Sequence, residues 1–562
     1  MSEQEAKKFF NSGVKFFNER NYVLAEKNFE EALNLVPGRL SILDNLASIY
    51  FINSKYEKSL EVIDKLLKLN VKEKKIIILK YKILTILGKT KELQKFIEEN
   101  LVNNNNDDGL KYKIIKEFIY PNFFEDQKQI NESRNNFIKS LDKLSSFEKI
   151  QLDINQELID PPIFNLSYDQ YENKDINKKI VEIFRKIYPD LNQSFMHNQK
   201  NEKIKIGFFS EFFYNHTISK LFKGIIFNLD RKKFDILIFH SEKTKKDDWH
   251  DEFLFSEIKM GIKNFTLPNN FNDKINLIIQ QKLDIVFYPD IGMSTEYYFL
   301  TFIRFAKLQI TSWGHPITTG NDSIDYFLTS NLIEKSDYQH LYSEKLMLSN
   351  YLPMYFYEPK VDKRLSNNDL AQKNIYFCSQ NLIKIHPNFD EILKKILEKD
   401  EKAKIYFIKD KNQILVKKLQ KRFKKKIKDD FTRIKFLDRM SNDDYIDLCG
   451  KASVLLDTLY FGAGNSFHES MIYGTPTVTM PSESLKSRIV LGAYKQMKIE
   501  NPPVVKSIDE YVEKAVELAN LEEEKMIEVK KYYSNNAKKY LFENKQFLEE
   551  FENLLLKIYK TK

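Results

Sequence analysis

Glycine and proline are scarce in this chain, with 15 of each in 562 residues, about 5% together against about 12% in an average protein. That scarcity excludes collagen-like, low-complexity and linker-dominated architectures and favours helices. Two cysteines, Cys378 and Cys449, cannot build a disulfide framework, and no Cys/His group has zinc spacing. No apolar stretch follows the charged start MSEQEAKKFF, so no signal peptide is expected. The longest apolar runs, such as Ile76 to Leu79, fall far short of the roughly 20 residues a membrane span needs. A cytoplasmic protein without a span is the expectation. A large charge of one sign is also missing: 89 Lys and Arg against 80 Asp and Glu leave +9. Such a balance accommodates anionic ligands without arguing for nucleic acid. What is present is 42% apolar and 30% charged residues, enough for large cores. At about 150 residues per domain, the length predicts three to four domains.

The chain opens on a repeat. Phe9, Gly13, Phe16, Ala25 and Phe29 recur 34 positions later as Leu43, Ala47, Tyr50, Ser59 and Ile63, with Ala32 and Pro37 completing the first unit. A 34-residue period of large and small residues is the helix–turn–helix signature of tetratricopeptide repeats. Small residues fall where paired helices touch. A weaker third unit spans about Lys74 to Glu99, with Gly88 well placed. The predicted organisation is tetratricopeptide-like repeats over 1–105 and a helical junction of unassigned role over 106–202, with a polar break NNNNDD at 103–108.

From Lys203 apolar strands alternate with helices: Lys203–Ser210, Phe234–Ser241 and Lys282–Asp290. The alternation restarts at Lys373–Asn381, Ala403–Lys409, Arg433–Asp438, Ser453–Thr458 and Pro476–Met480. Strands of this kind read as parallel sheets covered on both faces. Two Rossmann-like domains in tandem are predicted, over 203–365 and 366–562 with closing helices.

Ligands of open α/β sheets bind beyond the carboxyl ends of strands. Four loops there carry candidates. His216 stands just before a helix, as a ligand or as a capping residue. The stretch Tyr288–Glu296, with Asp290, and the stretch Ser312–Gly320, with Gly314-His315-Pro316, present a polar loop or an ordinary strand exit. Lys384 follows the first strand of the second unit, where a cation meets phosphate oxygens or simply faces solvent. After Asp457, Gly462 and Gly464 permit close approach of an anion, Asn465-Ser466 are read as capping a helix, and Glu469 lies one turn in, able to accept from ribose hydroxyls. No GxGxxG or GxxxxGK[ST] string occurs, which disfavours a dinucleotide enzyme or P-loop ATPase. The basic run KRFKKKIKDD (Lys421–Asp430) reads as a solvated helix face or a patch for an acidic surface.

Together NHT at 215–217, GHP-x-TTG at 314–320, QNLIKI at 380–385, LDT-x5-GNS-x2-E at 456–469 and YGTPTVTMPSESLKSR (Tyr473–Arg488) resemble the catalytic region of the O-GlcNAc transferase family. That family includes tetratricopeptide-bearing protein O-GlcNAc transferases and bacterial adhesin N-glucosyltransferases. The resemblance covers about residues 203–500. It implies a GT-B fold, UDP-GlcNAc or UDP-glucose as donor, inversion at the anomeric carbon, and no catalytic metal or cofactor. Lys384 matches the family's diphosphate lysine, and Gly464, Asn465 and Ser466 match the diphosphate loop. Asn381 falls at a uridine or sugar contact, Tyr445 at the uracil-stacking place, and Glu469 at the acidic ribose ligand. His216 matches the histidine near the acceptor, and Asp290, Gly314, His315 and Pro316 the acceptor or sugar pocket. Gly314-His315-Pro316 replaces the Gly-Tyr-Pro of the animal enzymes, Gly464-Asn465-Ser466 their His-Thr-Thr, and Asn442 an expected lysine. These departures leave GlcNAc and glucose both open. The implied acceptor is a protein or peptide Ser/Thr or Asn, held by the repeat groove. A degenerate repeat scaffold and a transferase acting on glycans are the alternatives.

Overall fold

A computed structural model describes the chain apart from residues 1, 72, 103–106, 148–149, 156–157, 198–200, 362–364 and 562. Most of the polar break expected at 103–108 thus lies outside the described residues. The chain forms two compact units, Met1–Asn122 and Phe123–Lys562.

In the first unit three helical hairpins follow one another: α1 (Ser2–Asn18) with α2 (Tyr22–Leu35), α3 (Leu40–Ile52) with α4 (Tyr56–Lys68), and α5 (Lys74–Ile86) with α6 (Thr90–Asn100). The small positions of the repeat explain the pairing. A Cβ on Gly13 would lie 2.7 Å from the Phe29 ring. At the equivalent place Ala47 is buried, and Ser59, fully buried, donates its hydroxyl to the Ala47 carbonyl at 2.6 Å. The weaker third hairpin turns at Gly88, whose φ is +60°. A further helix, α7 (Asp107–Phe118), packs on α6, so the repeat unit reaches beyond 105.

The second unit holds two parallel sheets. The first is built from β1 (Ile204–Phe209), β2 (Phe234–Ser241), β3 (Lys263–Leu267), β4 (Ile285–Tyr288), β5 (Leu308–Ser312), β6 (Tyr326–Ser330) and β7 (Lys345–Ser349), in the order β3-β2-β1-β4-β5-β6-β7. The second takes β8 (Ile375–Cys378), β9 (Lys404–Ile408), β10 (Ile434–Leu437), β11 (Val454–Leu456) and β12 (Thr477–Val478), in the order β10-β9-β8-β11-β12. Register places Ile206 of β1 between Ile236 and Ile285. All three are buried, as they must be where helices cover both faces. In each sheet the order reverses beside the first strand, which opens a crevice at its carboxyl end.

Two segments depart from the expected domain division. The last helix, Lys545–Thr561, falls in the span assigned to the second sheet but packs on the first. Its stripe of Phe547, Phe551 and Leu555 enters that core, with Phe551 5.9 Å from Phe287, and Tyr559 donates to Asp284 at 2.6 Å. The helices Gln127–Ser145, Ile163–Leu166 and Lys174–Ile187, expected only as a junction, form a layer against both sheets' domains. Phe184 meets Phe299 at 5.0 Å, Asn177 donates to the Thr318 carbonyl at 2.8 Å, and Lys486 donates to the Asp169 carbonyl at 2.7 Å.

Candidate active site

The loops beyond β1, β4 and β5 and those beyond β8 and β11 wall one cavity of about 410 Å³. His216, Gly314, His315 and Pro316 line it from the first domain. Asn381, Lys384, Tyr445, Gly464, Asn465, Ser466 and Glu469 line it from the second. Of the residues to which the family resemblance assigned a site role, Asp290 alone is outside this lining.

Lys384 is far from a solvated surface lysine. It ends a short 3-10 turn, Leu382–Lys384, and its Nζ donates to Gln380 Oε1 at 3.0 Å and to the Gly462 carbonyl at 2.9 Å, lying 4.5 Å from the Phe461 ring. Burial pushes the ammonium down to about 8, opposed by the charge of Asp457. Gln380 in turn donates to Ser466 Oγ at 2.6 Å, so one side-chain chain links lysine and loop. Asp457, just past β11, shapes that loop: it accepts from the Ala463 amide at 2.6 Å and from Thr479 Oγ1 at 2.7 Å. A Cβ on Gly462 would lie 2.8 Å from its Oδ2, so only glycine passes here. Burial raises the Asp457 carboxyl to about 6. The helix cap differs from expectation. Gly464 is the cap residue, while Asn465 and Ser466 begin the helix Asn465–Ser470. The Asn465 Oδ1 is buried without a partner. An extra donor from a ligand would satisfy it.

Two of the three cleft histidines, His216 and His315, present opposite chemistry. His216 caps the helix Thr217–Asn228: its Nδ1 accepts the Ile218 amide at 3.3 Å. The capping and the cleft-lining readings are therefore both true of it. With Nδ1 accepting, the proton of the neutral ring sits on Nε2. His315 is held the other way. Its Nδ1 faces the Ile291 carbonyl at 2.8 Å, an acceptor, so Nδ1 carries the proton and Nε2 a lone pair. That Nε2 has no partner and the ring leans on Phe164 at 5.4 Å. Gly292, at φ +100°, makes the room, because a Cβ there would lie 2.7 Å from Nδ1. Burial pulls both imidazoles down to about 4, so each is neutral at physiological pH.

Asp290 lies beneath this wall. It is buried, accepts from Ser210 Oγ at 3.0 Å, and is pushed up to about 8 by desolvation. That bond ties the ends of β1 and β4 together, and Asp290 is not among the residues that line the cleft, where the sequence leads one to expect a pocket residue. The physical reason is the strand exit: Gly314 N–H bonds back to the Pro289 carbonyl at 3.0 Å, which closes the loop over the aspartate.

A second cavity of about 390 Å³ adjoins the first through Ser379, Gln380, Asn381 and Tyr445, and runs over the ends of β9 and β10 to Arg439 and Asn442. Tyr445 therefore stands at the junction of two cavities of similar volume.

Several lining residues had no sequence signal. Phe164 and Tyr168 reach the cleft from the helical layer, where Tyr168 meets Phe461 at 5.1 Å. His468 lies fully buried in the wall with both ring nitrogens unpartnered. Lys220 could have been found, standing one turn after His216 on the same helix face.

Residues 360–551 match the family described as glycosyl transferase family 41. Two relatives extend the likeness. One is a probable UDP-N-acetylglucosamine–peptide N-acetylglucosaminyltransferase, SEC, of Arabidopsis thaliana, 23% identical over 57% of this chain and 33% of its own length. The other is the UDP-glucose:protein N-beta-glucosyltransferase of Actinobacillus pleuropneumoniae serotype 5b, 24% identical over 71% of this chain and 64% of its own length. This chain thus spans between a third and just under two thirds of those relatives. Among solved structures, a Thermobaculum terrenum O-GlcNAc transferase mutant superposes with a TM-score of 0.67 at 14% identity, covering 100% of this chain and 98% of that one. That likeness carries the fold: helical repeats followed by a GT-B pair of Rossmann-like domains. The five motifs, the family match over residues 360–551 and the shared fold point the same way: this chain is similar to the glycosyl transferase family 41 proteins and to the O-GlcNAc transferases.

Proposed function

We propose that the chain is a UDP-sugar-dependent glycosyltransferase that moves GlcNAc or glucose to a Ser/Thr hydroxyl or an Asn amide of a protein, inverting the anomeric carbon without a catalytic metal. The observation that carries this reading is Lys384, an ammonium held by Gln380 and Gly462 at the foot of a cleft between two sheets. A diphosphate leaving group gains negative charge as its bond to the sugar breaks. A preorganised cation in a dry site stabilises that charge more in the transition state than in the ground state. The relatives named for UDP-GlcNAc and UDP-glucose support a UDP-sugar donor. Tyr445 and the adjoining cavity offer the uracil a place, and Glu469 the ribose.

In the reaction the C1–O bond to UDP breaks with its electron pair leaving on the phosphate. The new bond forms on the opposite face of C1, and the acceptor proton passes to a base. His315 offers the lone pair for that proton, whereas His216 offers an N–H. We therefore assign the base to His315 and a hydrogen-bond donor role to His216. Incubation with UDP-GlcNAc and with UDP-glucose in the presence of cell proteins, followed by mass spectrometry of modified peptides, tests the proposal. Absence of a hexose or N-acetylhexosamine adduct with both donors, together with no thermal stabilisation by UDP, overturns it.

Two expected results follow from the same assignment. Activity should persist in EDTA, because Lys384 supplies the charge a metal would otherwise bring. Loss on chelation with recovery in magnesium or manganese would reject metal independence. Deleting residues 1–122 should raise the KM for protein acceptors while leaving UDP affinity unchanged, because helical repeats of this kind present a surface suited to extended peptides. Circular dichroism checks that the remainder folds. A folded truncation that modifies proteins as well as the full chain would remove acceptor selection from the repeats.

A further inference from the structure

We infer that Lys220 is a positioning residue for the nucleotide site: it reaches across from the first domain and fixes the carboxylate of Glu469, so ribose recognition depends on a contact made between the two domains. The inference rests on the reading of Glu469 as the ribose ligand.

Lys220 lies on the helix Thr217–Asn228, one turn beyond His216. Its Nζ forms a charged hydrogen bond to Glu469 Oε1 and donates to Asn442 Oδ1 at 3.2 Å. A single ammonium from the first domain thus joins two elements of the second: the helix Asn465–Ser470 beyond β11, and the helix Asn442–Lys451 beside the adjoining cavity. The pair is shielded, with the lysine side chain 16% and the glutamate 8% exposed. Removing one partner of such a shielded pair leaves the other charge uncompensated, and it then reorients or neutralises.

The pair also occupies a wall common to several spaces. Lys220 and Glu469 line the main cleft, and both line a further cavity of about 550 Å³ that continues past Trp249 and Tyr357. The carboxylate therefore has room to swing away from the cleft, and Lys220 is what keeps it at the cleft edge. Only Oε1 is engaged by the lysine. Among the described residues Oε2 has no hydrogen-bond partner, which leaves it free to accept from a ribose hydroxyl. Asn442, held by the same ammonium, borders the adjoining cavity. The ribose site is thereby set by a contact that exists only while the two domains stay together at this distance.

The test compares UDP with 2′,3′-dideoxyuridine 5′-diphosphate by calorimetry on the full chain. Wild type should prefer UDP. K220M, which keeps the apolar stem, should weaken UDP by about tenfold, a size usual for coupled neighbours. It should leave the dideoxy analogue unchanged and add nothing in an E469Q background, while K220R recovers most of the affinity. Where K220M does not fold by circular dichroism, K220Q takes its place in the same comparison. Equal weakening of both ligands, or the same loss in the E469Q background, overturns the role of Lys220 alone. Wild-type protein that binds both ligands equally overturns the ribose reading of Glu469, and the inference with it. Wild-type protein that binds neither overturns the proposed function.

Discussion

Replacing Lys384 by alanine should lower kcat by about two to three orders of magnitude, or about 2.7–4 kcal/mol of transition-state stabilisation, the cost of losing one preorganised charge-stabilising donor. The fold should survive. Lys384 is tied to the Gln380 side chain and the Gly462 carbonyl, two hydrogen bonds at the cleft and not contacts of a hydrophobic core. The group most exposed to its loss is Asp457, and that carboxyl is already raised to about 6, so it can take a proton instead of standing as an uncompensated charge. K384M, which keeps the stem over Phe461, should be as inactive as the alanine variant and closer to wild type in thermal melting. A pH dependence accompanies this. The lysine is depressed to about 8, so its charged fraction falls as pH rises past that value. UDP affinity should be flat between about pH 7 and pH 8, above the second phosphate pKa of about 6, and weaken above pH 8 in wild type, and the alkaline limb should vanish in K384A. Near-wild-type turnover in either variant, or an unchanged alkaline limb, would detach the lysine from the phosphate.

The parts of this site that could be read from sequence are those carried by short-range pattern. Phe234–Ser241 was legible to the residue because a run of apolar side chains covered on both faces has no polar alternation to blur it. The edge strands β3 and β7 were not, since Lys263–Leu267 and Lys345–Ser349 mix exposed and buried positions and look like loop. Loops beyond strands announced His216, Lys384 and the glycine segment, because topology alone places ligands there. Three things escaped. Asp290 looked like a pocket residue because it ends a strand, yet the hydrogen bond from Gly314 to Pro289 folds the loop over it. Phe164 and Tyr168 come from a layer without any motif, and only tertiary packing brings them to Phe461 and His315. Lys220 and Glu469 are 249 positions apart, and no local spacing can express a bond of that length in sequence.

The choice of base is where the geometry reaches furthest beyond pattern, since His216 and His315 both line the cleft and sequence cannot tell which accepts a proton. H315N should lower kcat by about a hundredfold or more, the usual contribution of a positioned base, while UDP affinity stays at its wild-type value. Asparagine is the informative replacement. Its amide N–H can still donate to the Ile291 carbonyl as Nδ1 does at 2.8 Å, so the loop is held while the Nε2 lone pair disappears. H216N keeps the other local bond, with its side-chain oxygen accepting the Ile218 amide, and loses only the outward N–H. It should cost less than H315N. Both rings are drawn down to about 4, so protonation is not what switches activity between pH 5 and pH 8, and kcat/KM should be flat there. A base that stays neutral across that range is always in its accepting form, and the negative charge of a bound diphosphate raises its proton affinity within the complex. Below pH 5 the comparison loses meaning, because buried His386 and His468, both lowered to about 3, take up protons only by leaving their burial, and stability falls as pH drops from the ordinary histidine range toward those values. The decisive measurement is therefore the ratio of the two variants at neutral pH. An H216N protein that is nearly dead beside an H315N protein that works would reverse the assignment, placing the base on the helix cap and leaving His315 to hold the loop.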